Sequence, residues 1–144
     1  MSKILIAIDG SPHSIKAAKA GVKLALSLNM EIMFVTVVDN DIIMAESTYS
    51  PKEAMAAMRT EARELMLRMR AVFNCREALC FVEEGKPSVC IVNIANGFNV
   101  DMIVVGTHGR SGLKRALMGS VAEEVIRHSH IPVLVIPFKT TDNN

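Results

Sequence analysis

The chain has 144 residues, of which 50% are hydrophobic and 22% are charged, and its formal net charge is +1. This length suits one domain with a buried core, and the near-neutral charge gives no general attraction to nucleic acid or to a membrane surface. No apolar run reaches the roughly 18 residues of a membrane-spanning helix, and the amino terminus shows no signal-peptide pattern. We therefore expect a cytoplasmic protein without nucleic-acid or membrane partners.

Two apolar strands with a helix between them open the sequence. After Lys3, residues 4–8 are apolar on both faces, as in a parallel sheet that is covered on both sides, and the run stops at Asp9. Ser11 and Pro12 then supply an N-cap and a proline at the first helical position, and apolar residues follow at helical spacing. Glu31–Val38 gives a second strand of the same type. These features predict a β-α-β unit.

The next segment combines an irregular stretch with a long helix. Residues 39–50 show no clear periodicity, and a loop of this length either covers a site or forms a variable surface connection. Ser50 and Glu53 form a capping box with a proline between them, which predicts a helix start. Five methionines fall in the range from Met44 to Met69. We interpret them as an adaptable packing stripe, with a partner-binding groove as the alternative.

The remaining elements continue the alternation of strands and helices. They are a short strand at residues 80–82, a helix from Pro87 that stops at Gly97, a strand at residues 102–105 and a last strand at Val133–Ile136. A further helix begins before the last strand. The order β-α-β-α-β-α-β-α-β predicts an α/β fold with a parallel sheet and right-handed crossovers.

The cysteines and histidines form no metal-binding pattern. Cys75, Cys80 and Cys90 are separated by five and ten positions, which gives neither a C-x-x-C pair nor a zinc-ligand set. We expect reduced and partly buried thiols, with redox sensing as the alternative. Among the histidines, only His108 lies inside the glycine-containing loop that follows the fourth strand.

That loop has several features of a phosphate-binding site. Gly106 and Gly109 follow a strand, where glycine allows a ligand to approach the backbone closely. Ser120 precedes Glu123 by three residues, a capping-box pattern that indicates a helix start with unpaired N–H groups. Two interpretations fit these residues equally, an anion site or turn-forming glycines beside a self-capping serine. No acidic residue occurs in the loop, whose basic residues are Arg110, Lys114 and Arg115.

The spacing Gly106-x2-Gly109-x9-Gly119-Ser120 resembles the ATP-binding motif of the universal stress protein family, G-x2-G-x9-G-[ST]. The segments KILIAIDGSPHS, VTVVD and EGKPSVCIVNIA also resemble that family, so the resemblance covers nearly the whole chain. It implies a single-domain, doubly wound, five-stranded parallel sheet of order 3-2-1-4-5 with helices on both faces, which is a Rossmann-like fold that binds adenine nucleotides. We expect this domain over residues 1–138 and a flexible tail over residues 139–144.

The resemblance also implies the nucleoside side of a site. Ligands in such sheets bind at the carboxyl ends of the strands where the strand order reverses, and the implied order brings Asp9 beside Gly106. Ala7, Asp9 and Val37 match family positions that hold the adenine and the nucleoside. Gly106 matches the position below the ribose and the first phosphate. For Asp9, a purely structural turn at the helix start is the alternative.

Phosphate contacts are implied at the far end of the motif. Gly109, Gly119 and Ser120 match the positions whose backbone N–H groups and hydroxyl donate to phosphate oxygens. Three neighbours complete the predicted site, namely His108, Arg110 and Val121.

The resemblance implies an ATP-binding sensor or regulator of the stress response, with Mg²⁺ or Mn²⁺ beside the nucleotide and a homodimer formed through Val133–Ile136. Alternatives are a nucleotide-independent dimeric stress adaptor, a slow ATPase and a binder of another adenine nucleotide. No catalytic residue is predicted, because fast hydrolysis needs a held metal ion and a positioned water, whereas the loop has no carboxylate. P-loop, dinucleotide-binding and nucleophile-elbow motifs are also absent from the sequence.

Overall fold

The computed structural model of the protein describes residues 1–41, 50–108 and 118–138. Predicted site residues Gly109 and Arg110 lie outside these ranges, as does the predicted tail at 139–144. The described strands and helices are β1 Lys3–Ala7, α1 Pro12–Ser27, β2 Glu31–Val38, α2 Pro51–Val72, β3 Leu79–Glu84, α3 Pro87–Gly97, β4 Met102–Gly106, α4 Ser120–His128 and β5 Val133–Ile136.

The five strands form one parallel sheet in the order β3-β2-β1-β4-β5, as the family resemblance implies. β1 is the central strand, and its Ile6 pairs with Phe34 of β2 on one side and with Val104 of β4 on the other. After β3 the chain crosses to the opposite side of β1. The strand order therefore reverses between β1 and β4, and their carboxyl ends are neighbours.

Helices cover both faces of the sheet, because alternate side chains of the central strands point to opposite faces. Ile4 and Ile6 pack with α1 and α2, whereas Leu5 packs with α3 and α4. All three side chains are fully buried. Gly21 lets α1 approach the sheet closely, since a Cβ there would lie 3.1 Å from an Ile6 side-chain atom. Two apolar layers therefore hold the helices whose ends surround the strand reversal.

The methionine-rich helix α2 contributes to this core, as the packing interpretation predicts. Met66 and Met69 are buried, and half-buried Met55 and Met58 pack against Val38 of β2. α2 has 22 residues but carries many charges. Among the residues that the structure describes, no helix has the length and apolar character needed to cross a membrane. Of the stretch predicted to be irregular, residues 40 and 41 are helical and residues 42–49 are outside the described ranges.

Two predicted helix starts are confirmed by their capping hydrogen bonds. Ser11 Oγ accepts from the Ser14 N–H at 3.2 Å, and Ser50 Oγ accepts from the Glu53 N–H at 3.2 Å. Each serine satisfies one of the N–H groups that have no partner within the helix.

Three helices end on an asparagine in the left-handed conformation. Asn29, Asn74 and Asn99 each have φ of 53° and follow α1, α2 and α3. α3 ends at Gly97, as predicted, but the left-handed residue after the helix is Asn99, two positions later. Asparagine tolerates this conformation because its short polar side chain bonds locally.

Replacing Asn74 with alanine should lower the free energy of unfolding by about 1 kcal/mol, since a Cβ without a polar group is disfavoured at positive φ. Asn74→Gly is the matched control and should be close to the unmodified protein in stability. Urea denaturation measures both variants. Equal stability of the two variants would contradict the assignment of this helix stop.

Candidate functional site

A cavity of about 460 Å³ opens at the carboxyl ends of β1, β2 and β4. Its position at the strand reversal is where open α/β sheets bind ligands, and small-molecule sites commonly enclose about 300–1,000 Å³. One wall is a face of α2, and the first turns of α1, α3 and α4 supply the others. The α2 residues on this wall are Met58, Glu61, Ala62, Leu65 and Arg68.

The cavity brings together every predicted site residue that the structure describes. Residues from the ends of β1 and β2 meet residues that come much later in the sequence, at the end of β4 and the start of α4. The site residues on the cavity wall are Ala7, Asp9, Val37, Gly106, His108, Gly119, Ser120 and Val121. Their contacts with a ligand remain predictions.

Asp9 has a structural role in the turn that leads into α1. One carboxylate oxygen accepts from the Ser11 N–H at 2.9 Å, and the Asp9 N–H donates to Ser14 Oγ at 3.1 Å. Gly10 takes a φ of 86° between them, a conformation that favours glycine. This is the turn that we gave as the alternative for Asp9. It also holds Asp9 at the rim of the cavity.

Close backbone packing surrounds Gly106 and Gly119, the first and last glycines of the motif. At Gly106, a Cβ would lie 3.3 Å from the His13 carbonyl oxygen of α1. At Gly119, a Cβ would lie 2.9 Å from the Thr107 carbonyl oxygen, and the Gly119 N–H donates to that same oxygen at 2.5 Å. The predicted phosphate donor at Gly119 is therefore engaged with Thr107 in this structure. The other candidate phosphate donors are the N–H groups of the residues after Gly119.

The start of α4 corrects the predicted capping box. Gly119 is the N-cap residue, with φ −67° and ψ 160°, and as a glycine it has no side chain with which to cap the helix. Ser120 is thus the first helical residue, and the Glu123 N–H bonds to the Gly119 carbonyl at 3.1 Å. Since the first N–H groups of a helix have no intrahelical acceptor, Ser120, Val121 and Ala122 present donors beside the cavity.

His108, which follows β4, is held in place by contacts of its side chain. It is buried, and its Nδ1 lies 3.0 Å from Thr107 Oγ1. Its ring meets the His13 ring edge-on at a centroid distance of 5.6 Å, and Phe138 stacks on His13 at 4.0 Å. These contacts fasten the chain where it leaves β4. They assign His108 a packing role beside its predicted contact with a ligand.

Metal and thiol chemistry find no support in the described ranges. Among those residues, no group of three or more His, Cys, Asp or Glu side chains is arranged to hold a metal ion. Cys75, Cys80 and Cys90 are free and half-buried, and burial raises the pKa of each thiol. A raised pKa favours the protonated, less reactive form.

Sequence reasoning missed the α2 wall and a polar cluster that joins α3 to α4. Met58 and Glu61 line the cavity, although their spacing indicated only an amphipathic helix. Glu124 of α4 accepts a hydrogen bond from Ser88 of α3 at 2.6 Å. No local pattern reveals a contact between residues 36 positions apart.

Comparisons with known proteins agree with this architecture. The sequence model of the universal stress protein family matches residues 1–137. Universal stress protein MJ0531 of Methanocaldococcus jannaschii is 34% identical over 137 residues, which cover 93% of this chain and 81% of that relative.

Solved structures show the same fold. The hypothetical protein MJ0577 has a TM-score of 0.83 and 30% identity, with 97% of this chain and 98% of that chain covered. A universal stress protein in complex with cAMP has a TM-score of 0.64 and 23% identity, over 94% of this chain and 96% of that chain. Because the family model spans nearly all the described residues, the chain belongs to the universal stress protein family.

Proposed function

We propose that this protein binds an adenine nucleotide, ATP foremost, in the cavity at the strand reversal and acts in the cytoplasm as a nucleotide-dependent sensor or regulator of the stress response. The observation that carries the proposal is the start of α4, which has a glycine as its N-cap residue and lines that cavity. In α1 and α2 the N-cap serine binds one N–H group of the first turn, whereas the glycine N-cap of α4 has no side chain to do so, and in this proposal the first N–H groups of α4 bind an anion.

The phosphates occupy the α4 end in this proposal. The Ser120 and Val121 N–H groups and the Ser120 hydroxyl donate to phosphate oxygens, and the positive end of the helix dipole adds to the attraction. Charge-assisted hydrogen bonds contribute about 1.5–3 kcal/mol each. Three of them account for much of the roughly −8 kcal/mol that corresponds to micromolar affinity.

The nucleoside occupies the end formed by β1, β2 and α2. Ala7, Val37 and Met58 supply apolar surface for the base. The carboxylates of Asp9 and Asp39 lie on the same cavity wall and accept hydrogen bonds from ribose hydroxyls. Donors at one end and acceptors at the other suit a molecule that is anionic at one end only.

Mg²⁺ or Mn²⁺ accompanies the triphosphate in this proposal. The phosphates and waters supply most of the metal ligands, as is usual for Mg²⁺, and we assign to Asp9 a contact with the ion through a water. This arrangement supports binding and, at most, slow hydrolysis. A cyclic nucleotide is the second candidate ligand, because the related protein of similar fold was solved in complex with cAMP.

We also propose a homodimer through β5. This strand is at the sheet edge, pairs only with β4 among the described strands and consists of half-buried apolar residues. Pairing with a second copy satisfies the backbone groups of such an edge. A dimer that never binds nucleotide is the rival adaptor function.

Calorimetric titration of the nucleotide-free protein with ATP, cAMP and adenosine tests the proposal. We expect micromolar ATP binding that Ser120→Ala weakens about tenfold, the order of one charge-assisted hydrogen bond. Adenosine binding should be unchanged in Ser120→Ala, because that hydroxyl is assigned to the phosphates.

Ser27→Ala is the matched control, since this serine bonds the Lys23 carbonyl at the far end of α1 and is remote from the cavity. Absence of ATP and cAMP binding would favour the adaptor function. Equal losses of ATP and adenosine affinity in Ser120→Ala would contradict the assignment of the phosphates to α4.

A further inference from the structure

The start of α3 is joined to α4 by a hydrogen bond between side chains. The α3 N-cap residue, Lys86, makes no side-chain capping bond. Instead, Glu124 Oε2 accepts from Ser88 Oγ at 2.6 Å, and Ser88 is only 4% exposed. A carboxylate beside a helix N-terminus is stabilised by the helix dipole. Glu124 thus binds a side chain in the first turn of α3, whereas Ser11 and Ser50 bind backbone N–H groups of α1 and α2.

Lys86 completes this cluster. Its Nζ lies 3.2 Å from the same Glu124 oxygen. Two hydrogen-bond partners lower the pKa of the Glu124 carboxyl, the Ser88 hydroxyl most and Lys86 next. Glu124 is therefore ionised at neutral pH. The Lys86 ammonium also offsets the negative charge of Glu124, which lies one helical turn after Ser120.

This cluster joins the starts of α3 and α4, and both of these helix starts line the cavity. Pro87 and Ile91 of α3 line it, as do Val121 and Ala122 of α4. Glu124 follows Ser120 by four positions and so lies on the same side of α4. A shift of either helix start changes the position of the N–H donors relative to the α3 wall.

We propose that Glu124 is a positioning residue that, through Ser88, holds the cavity-facing starts of α3 and α4 in one geometry and couples phosphate binding at α4 to order at the start of α3. This inference rests on the proposed nucleotide binding. Its ligand class is the same adenine nucleotide, and Glu124 itself does not touch it.

ATP titration of Glu124→Ala, Glu124→Gln and Glu123→Ala tests the coupling. Glu123 is the matched control because its carboxylate pairs with exposed Arg127 at 2.8 Å, away from α3. We expect Glu124→Ala to bind ATP about tenfold more weakly, and Glu123→Ala to stay within about twofold of the unmodified protein. Glu124→Gln keeps an acceptor oxygen for Ser88 and should recover most of the affinity.

Amide hydrogen exchange provides a second readout. ATP should slow exchange in the first turn of α3 in the unmodified protein and in Glu124→Gln, but not in Glu124→Ala. Ser88→Ala removes only the donor, so it replaces Glu124→Ala if that variant fails to fold. The double variant Ser88→Ala, Glu124→Ala should then bind ATP no more weakly than either single variant, because both changes remove the same hydrogen bond.

Unchanged ATP affinity in both Glu124→Ala and Ser88→Ala would overturn the coupling while leaving nucleotide binding intact. The coupling would also be overturned if ATP slowed exchange at the start of α3 equally in every variant, or if Glu124→Gln failed to restore ATP affinity. Failure of the unmodified protein to bind any adenine nucleotide would overturn the proposed function together with this inference.

Discussion

Replacing Ser120 with proline is expected to weaken ATP binding about a hundredfold, because it removes two of the proposed phosphate donors, the backbone N–H and the hydroxyl. The free energy of unfolding should stay nearly unchanged. Proline is well tolerated at the first helical position, where the missing N–H has no intrahelical partner. Gly119, with φ −67° and ψ 160°, already has the extended conformation that a residue before proline prefers.

The chain itself contains suitable precedents for this substitution. Pro12, Pro51 and Pro87 occupy the corresponding position in α1, α2 and α3. Calorimetry and urea denaturation of Ser120→Pro and Ser120→Ala separate the N–H contribution from that of the hydroxyl. If Ser120→Pro binds ATP as tightly as Ser120→Ala, the backbone of α4 does not hold the phosphates.

Gly119→Ala is expected to lower the free energy of unfolding by about 2 kcal/mol, in the range of overpacking changes. The added Cβ would lie 2.9 Å from the Thr107 carbonyl oxygen, a backbone atom that cannot move without shifting β4 or α4. The backbone of Gly119 is otherwise compatible with alanine, since its φ is negative. Only the close contact opposes the change.

Gly97→Ala is the matched control for this effect. In the described part of the chain, no atom beyond the neighbouring residues and the backbone of α3 lies within 4 Å of a Cβ built at Gly97, the last residue of α3. Alanine should be tolerated there or even slightly stabilising, because it favours the helix more than glycine does. Urea denaturation compares the two variants. Equal stability of Gly119→Ala and Gly97→Ala would contradict the packing explanation of the motif glycine.

Local patterns in the sequence were sufficient for most of the fold. Continuous apolar runs identified β1 and β2, and serine caps followed by proline located the starts of α1 and α2. The strand order had to come from family resemblance, because β1, β2 and β4 are all apolar on both faces and nothing in their spacing orders them. β3 extends beyond the predicted residues 80–82, because Glu83 and Glu84 continue the pairing with β2 despite their charge.

The candidate site was predictable to the extent that it follows the glycine motif and the strand ends. The capping role of Ser120 was wrong because Gly119 is already extended and takes the N-cap position. The α2 wall with Met58 and the contact of Ser88 with Glu124 were missed because tertiary packing alone creates them. A helical period shows which residues share a face, but not which cavity that face borders.

A crystal structure of the protein grown with ATP and Mg²⁺ tests the central claim most directly. We expect phosphate oxygens at about 3 Å from the backbone nitrogens of Ser120 and Val121 and from Ser120 Oγ, with the base beside Val37. A triphosphate bound away from the start of α4, for example at the surface formed by Arg59 and Arg63 of α2, would contradict this account.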